Sequence, residues 1–165
     1  MHQETLDPID LQILLLLQAR GRMKRNELAE RVGLSLPAVS ERMRKLEVRG
    51  IIEGYHAVVA HKPLGIDITA FVRVFVDGSR YYSGFVQRAT ALAEVLECHS
   101  ITGEGSHLLK VRTRNTTTLE RLLSTIQAWP GVRQTQTSIV LSTFKETRAL
   151  PLEPSERHVE LETPK

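Results

Sequence analysis

The sequence has a single cysteine, Cys98. One thiol can form no internal disulfide and no multi-cysteine metal site. Long apolar runs are missing too. The longest is Ile13 to Leu17, five residues, against the roughly 20 that a membrane-spanning helix needs. The opening residues, Met1-His2-Gln3-Glu4, have no basic segment leading into an apolar one, so they do not read as a secretory leader. From these absences we expect a cytoplasmic protein without a membrane partner. Excess charge is also small: 22 Lys and Arg against 19 Asp and Glu leave +3 over 165 residues. So mild a balance does not by itself identify a polyanionic partner. No internal repeat is evident, and the composition is that of an ordinary globular chain.

What charge there is lies unevenly. From Arg20 to Arg49 there are nine Lys and Arg and four Asp and Glu, a local +5, whereas Glu153 to Lys165 carries four acids and two bases, a local −2. A basic stretch is read either as a solvated surface or as an electrostatic footprint for nucleic acid.

The basic stretch coincides with helical punctuation. Asp7-Pro8-Ile9-Asp10 reads as a helix start: Asp7 caps, Pro8 suits the first helical position, and Asp10 sits near the positive dipole end. Ile9, Ile13, Leu16 and Leu17 then share one face, and Gly21 ends the helix. A second short helix is expected near Arg25 to Val32, burying Leu28, Ala29 and Val32. Lys24 precedes it and cannot cap as a serine would. Gly33 follows where helices commonly end in a left-handed residue. Ser35 is an N-cap for a third helix, with Leu36, Val39, Met43 and Leu46 as its buried stripe and Gly50 as its stop. The β-prone stretch from Ile51 to Val59 reads as a small wing or ribbon. His61 to Gly65 reads as a linker, since Pro63 and Gly65 break regular elements.

The second half changes period. Strands are expected over Thr69–Val76, Val95–Thr102, His107–Thr113 and Thr135–Thr143, and helices over Tyr81–Ala93 and Thr116–Trp129. The order is βαββαβ, a ferredoxin-like sandwich. The fold class is therefore α+β, a winged helix-turn-helix domain (1–60), a linker (61–66) and a ferredoxin-like assembly and effector domain (67–150). A tail with Pro151, Pro154 and Pro164 (151–165) is expected to be extended.

Two helices joined by a tight Gly-containing turn, the second rich in Arg, form the arrangement that enters a DNA major groove. With Leu36, Val39, Met43 and Leu46 inward, the third helix exposes Pro37, Ala38, Ser40, Glu41, Arg42, Arg44, Lys45 and Arg49. Ser40, Glu41 and Arg42 are the expected base readers, because Arg pairs bidentately with guanine and Glu accepts from cytosine. Ser35 and the free N–H groups beside it suit a phosphate. Arg20, Arg22, Lys24 and Arg25 lie where backbone contacts are expected. A three-helix domain that packs on another protein is the alternative from pattern alone.

The chain resembles the leucine-responsive regulator/asparagine regulator (Lrp/AsnC) family of prokaryotic transcription factors. The resemblance is carried by Leu6-Asp7-Pro8-Ile9-Asp10 with Ile13-Leu14, Glu27-Leu28-Ala29 with Val32-Gly33-Leu34-Ser35, Ala38-Val39-Ser40-Glu41-Arg42, and Leu46-Glu47 with Gly50-Ile51-Ile52 and Gly54-Tyr55. Thr102-Gly103-Glu104, Leu108-Leu109-Lys110-Val111, Pro130-Gly131-Val132, Thr135 and Thr137 continue it, so that it covers residues 6 to 150. It implies operator DNA as partner of the first domain, a dimer formed face to face by open sheets, and further assembly, often to octamers. It also implies a small effector, frequently an amino acid, bound between dimers near Gly103, Glu104, Gly105 and Ser106, with Thr135 and Thr137 from the last strand. One position departs from the family's pattern. Ser106 stands where amino-acid-binding members commonly have Asp, and a neutral hydroxyl cannot neutralise an ammonium as a carboxylate does. An effector-independent, nucleoid-like DNA binder is the alternative.

Strand alternation gives the second domain two unlike faces. Val72, Val74 and Val76 share one, expected under the helices. Phe71, Arg73 and Phe75 share the other, as do Leu108, Lys110 and Arg112. An apolar patch of Phe71, Phe75 and Leu108 would be buried by a second copy. An aromatic, basic sheet also suits RNA, but Ser106 to Arg112 lacks the aromatic RNA-binding signature. No enzyme site is apparent. His56 and His61 have no carboxylate or cysteine at metal-ligand spacing, Cys98 and His99 point to opposite faces, and Gly103-Glu104-Gly105 lacks the following helix that a nucleotide loop needs. We expect no cofactor, no metal and no catalysis.

Overall fold

The computed structural model describes residues 6–152. They form two compact units, one of residues 6–58 with 147–152 and the other of residues 59–146.

In the first unit the expected start signals act as written. Helix α1 spans Pro8–Ala19, and the Asp7 carboxylate accepts from the Asp10 amide at its N-terminus. Helix α2 spans Arg25–Val32. Lys24 gives it no side-chain cap, and Gly33 ends it in the left-handed conformation (φ 68°). Helix α3 spans Leu36–Val48 with Ser35 as N-cap. Ile13, Leu28, Val39 and Leu46 are fully buried between the three helices, each worth about 1.5–3 kcal/mol relative to exposure. The stripes differ in detail from the expected ones: Leu14 replaces Leu16 as a fully covered residue of α1, and Leu36 is 43% exposed at the first turn of α3.

The stretch expected as a ribbon, Ile51 to Val59, forms no helix or strand and has no strand partner among the described residues. Tyr55 holds it to α3 by donating to Glu47 (2.9 Å). Val58 and Val59 project into solvent. The linker residues Lys62–Leu64 make a single 3-10 turn closed by left-handed Gly65.

The second unit is a four-stranded antiparallel sheet with two helices on one face. Its strands are β1 (Ile68–Val76), β2 (Val95–Ser100), β3 (His107–Thr113) and β4 (Val132–Ile139), in the order β2-β3-β1-β4. Its helices are α4 (Tyr82–Ala91) and α5 (Thr116–Gln127), giving the expected βαββαβ order. A capping box between Asn115 and Thr118 starts α5. Val72, Val74, Leu109 and Val111 face the helices and meet Phe85, Ala89, Leu122 and Ile126. His107 is buried there with its ring against Tyr82 and Phe85.

Strand β4 runs earlier than the expected Thr135–Thr143. Val76 pairs with Val132 across a bulge, so pairing begins three residues sooner. After Val140, whose amide donates to the Thr69 carbonyl (2.9 Å), the chain leaves the sheet. It runs along the helix-free face, where Glu146 binds Lys110 and Arg112. From Thr147 the chain groups with the first unit. There the Gln18 amide both donates to the Leu150 carbonyl (3.2 Å) and accepts from its amide (2.6 Å), as a strand partner would, and Leu152 packs on the apolar core. Of the expected extended tail, only Pro151 and Leu152 fall within the described residues.

Candidate DNA interface and effector site

The turn between α2 and α3 is closed by Gly33. Ser35 accepts from the Ala38 amide (3.4 Å), so its hydroxyl is engaged as a cap, and the remaining N–H groups of the first turn are those open to an anion. Pro37, Glu41, Arg44, Lys45 and Arg49 are exposed along α3, and Ala38 and Ser40 are half-buried. Glu41 and Arg44 form a two-pronged pair at 2.7 and 2.9 Å. The bond from Arg44 holds the Glu41 carboxyl below its ordinary value. Both groups are exposed, so a base or phosphate can compete for either.

Arg42 differs from its expected role. Its guanidinium turns back toward α1 and donates to both Asp7 and Asp10, the latter at 2.8 Å. The spacing that puts Arg42 one position beyond Glu41 also rotates it toward the α1 N-terminus. Burial acts to raise the Asp7 carboxyl, but the Asp10 amide and the Arg42 guanidinium outweigh it and hold Asp7 below its ordinary value. Arg42 is therefore a brace between α1 and α3 within this chain, rather than a freely presented base reader.

Among the other expected backbone contacts, Arg22, Lys24 and Arg25 are exposed. Arg20 is tied to Glu27 at 2.8 Å, and Glu27 also pairs with Arg31 at 3.2 Å.

In the second unit the β2–β3 connection is a compact turn. Gly103 (φ 89°) and Gly105 (φ 79°) are left-handed. A Cβ on Gly105 would lie 2.7 Å from Cγ of Arg73, so only glycine lets the turn close on that side chain. The Arg73 guanidinium donates to Gln136 Oε1 (3.1 Å) and lies 3.6 Å from Glu104. Its Nε is buried with no acceptor.

Ser106 is placed differently from a ligand-facing residue. It is buried, and its hydroxyl accepts from the Val76 amide and donates to the Val74 carbonyl, both at 3.1 Å. It continues the β3 edge of β1 just past the Val74–His107 pair, next to His107 Nδ1 at 2.9 Å. Thr135 and Thr137 pair with Val74 and Val72 and so share the helix face; Thr135 accepts from Gln127 of α5 (2.7 Å). Within one chain the Gly103–Gly105 turn thus packs against Arg73, whose guanidinium bonds Gln136, while Thr135 and Thr137 lie on the helix face. Strand alternation places Arg73 on the helix-free face, but nothing local in the sequence joins it to the turn. A lone arginine at the centre of an apolar strand was the available signal.

On the helix-free face Phe71 is 38% exposed, and Phe75 and Leu108 are half-buried. Thr69, Phe71, Lys110, Arg112 and the departing segment Ser142 to Glu146 line an open cleft there.

Comparison with known proteins decides the family. A model described as Lrp/AsnC ligand binding domain matches residues 69–150, and one described as winged helix-turn-helix DNA-binding matches residues 6–53. The HTH-type transcriptional regulator FL11 of Pyrococcus horikoshii is 35% identical over 147 residues, 89% of this chain and 97% of the relative. The chain belongs to the Lrp/AsnC family of transcriptional regulators. A transcriptional regulator of Neisseria meningitidis, solved in complex with L-methionine, superposes on the Lrp/AsnC chain described here with a TM-score of 0.85 at 34% identity, covering 89% of this chain and 97% of that one. The feast or famine regulatory protein of Mycobacterium tuberculosis, complexed with L-methionine, gives a TM-score of 0.83 at 37% identity, covering 88% and 99%. As a member of this family, the chain joins a helix-turn-helix DNA-binding domain to a ligand-binding domain. No helix among the described residues is long and apolar enough to cross a membrane.

Proposed function

We propose that this Lrp/AsnC chain is a cytoplasmic, sequence-specific DNA-binding regulator that acts as an assembly of dimers and carries no catalytic activity. The observation that carries the reading is α3: a Ser35-capped helix presenting Ser40, Glu41, Arg44 and Lys45 on a unit matched by a winged helix-turn-helix model. Ser40, Glu41, Arg44 and Lys45 read bases, and Pro37 and Ala38 fit the groove. Arg22, Lys24, Arg25, Arg49 and the α3 N-terminus at Ser35 hold phosphates. The domains divide as 1–60 for DNA, 61–66 as linker and 67–150 for assembly and effector; the break between compact units after Val58 supports the first boundary, while residues 147–150 group with the first unit.

A second copy covers Phe71, Phe75 and Leu108 on the helix-free face, and dimers assemble further, up to an octamer. The effector sits at the Gly103–Gly105 turn. Two relatives of this fold were solved with L-methionine, which supports a small-molecule effector here. Its binding alters dimer–dimer packing and thereby the DNA geometry held, a coupling that runs equally in both directions.

One observation favours a second reading, an effector-independent DNA binder: Ser106 is neutral and its hydroxyl is committed to β1. Anisotropy titration of the full chain on a labelled recovered site, with and without small ligands, separates the two. A ligand-dependent change in affinity supports the effector reading; invariance across amino acids and their deaminated analogues supports the second.

A further inference from the structure

We infer that the effector site at the β2–β3 turn takes a carboxylate without an α-ammonium, a 2-oxo acid or simple carboxylic acid, held by Arg73. This rests on the reading that the turn is the effector site, and adds the chemical class of its ligand.

The turn sets one half-buried cation, Arg73, against one solvated anion, Glu104. Ser106 offers no anion, and its hydroxyl already bonds the Val74 carbonyl and the Val76 amide. Glu104 is the only carboxylate found at the turn, and its side chain is 82% exposed, 3.6 Å from Arg73. A solvated carboxylate at that distance is a weak partner for either a guanidinium or a ligand. Arg73 is the opposite case. Its tight contact is to a neutral amide, Gln136, and its buried Nε has no acceptor. The neighbouring cations of the same sheet face are treated differently: Lys110 and Arg112 are each held by Glu146, and Lys110 also by Glu97. The chain therefore holds the cations beside Arg73 with hydrogen-bonded carboxylates and gives Arg73 only the solvated Glu104, at 3.6 Å.

The guanidinium fork matches a carboxylate in two-pronged geometry. Gly105 places backbone rather than a side chain against Arg73, and a Cβ on Gly103 would meet open space. A carboxylate entering there displaces the loose Glu104 contact and meets one cation. A zwitterion brings the same carboxylate together with an ammonium for which the turn supplies only the solvated Glu104.

The test uses the full chain and a matched pair of probes, L-methionine and 4-methylthio-2-oxobutanoate, by isothermal titration and by amide NMR at Gly103, Gly105 and Ser106. We expect the oxo acid to bind at least tenfold more tightly, to shift those amides, and to lose most of its affinity in Arg73→Gln with recovery in Arg73→Lys. Tighter binding of L-methionine with the same amide shifts would overturn the ligand class while leaving the turn as effector site. Binding that shifts other amides would overturn the site itself. Equal binding of the oxo acid to folded Arg73→Gln would overturn the role of Arg73, and circular dichroism establishes that this variant is folded.

Discussion

Arg42 of α3 bonds Asp7, the residue that caps α1, and the same guanidinium donates to Asp10 one turn on. A residue that reads as a base contact by spacing is thereby built into the scaffold that holds the recognition helix.

Replacing Arg42 by Ala is expected to destabilise the first unit by about 1–2 kcal/mol, since the pair is partly exposed and charge-assisted. Because the loss falls on the scaffold, DNA affinity drops by a similar factor on every sequence. Thermal melting and binding to two unrelated fragments check this. Asp10→Ala should lose less when Arg42 is already Ala than it does in the wild type, the mark of coupled residues.

The glycines of the β2–β3 turn should respond unequally. Gly103→Ala meets only the cost of a left-handed backbone, about 1 kcal/mol. Gly105→Ala adds a clash with Arg73 Cγ at 2.7 Å and should be the more destabilising of the two. Melting temperatures of the pair decide it.

Ser106→Ala leaves the buried Val76 amide without its acceptor. A loss of about 1–3 kcal/mol is expected, with faster hydrogen exchange at Val76 as the local signature.

Stability should rise with pH in two windows. Burial lowers the His107 imidazole from its ordinary 6.5. The unfolded chain then binds more protons, so stability falls as pH drops below about 6.5 and levels once the folded imidazole is also charged. His107→Phe removes that slope. Asp7, Glu97 and Glu146 are held below their ordinary values. For Asp7 and Glu97, burial opposes the shift and is outweighed by hydrogen bonds, from Asp10 and Arg42 to the one and from Lys110 and His99 to the other; for Glu146, Lys110 leads. Their contribution is present above about pH 4.5 and is lost as pH falls through the folded values. Urea titrations from pH 3 to 8 resolve both.

Much of this was legible in the sequence, because its signals are local. Asp7, Ser35 and Gly33 mark helix ends through backbone chemistry that operates within four residues, and all three act as expected. The alternation from Thr69 to Val76 puts the correct residues, Val72, Val74 and Val76, under the helices. What stayed hidden depends on residues far apart in the chain. The brace from Arg42 spans 32 and 35 positions, and the closing of Gly105 on Arg73 depends on how β1 and β3 register. The shift of β4 follows from a bulge at Phe75–Val76 that no periodicity announces. Thr135 and Thr137 follow from the resemblance alone, which carries position but not which face a strand presents.

The central claim, sequence-specific DNA recognition by α3, is tested most directly by selecting bound fragments from total genomic DNA at near-physiological salt, with wild type and with Arg44→Ala. The account predicts a small set of recurring, two-fold-related sites for wild type, with a changed base preference in Arg44→Ala. Uniform enrichment without a recurring site, identical in both proteins, would contradict it.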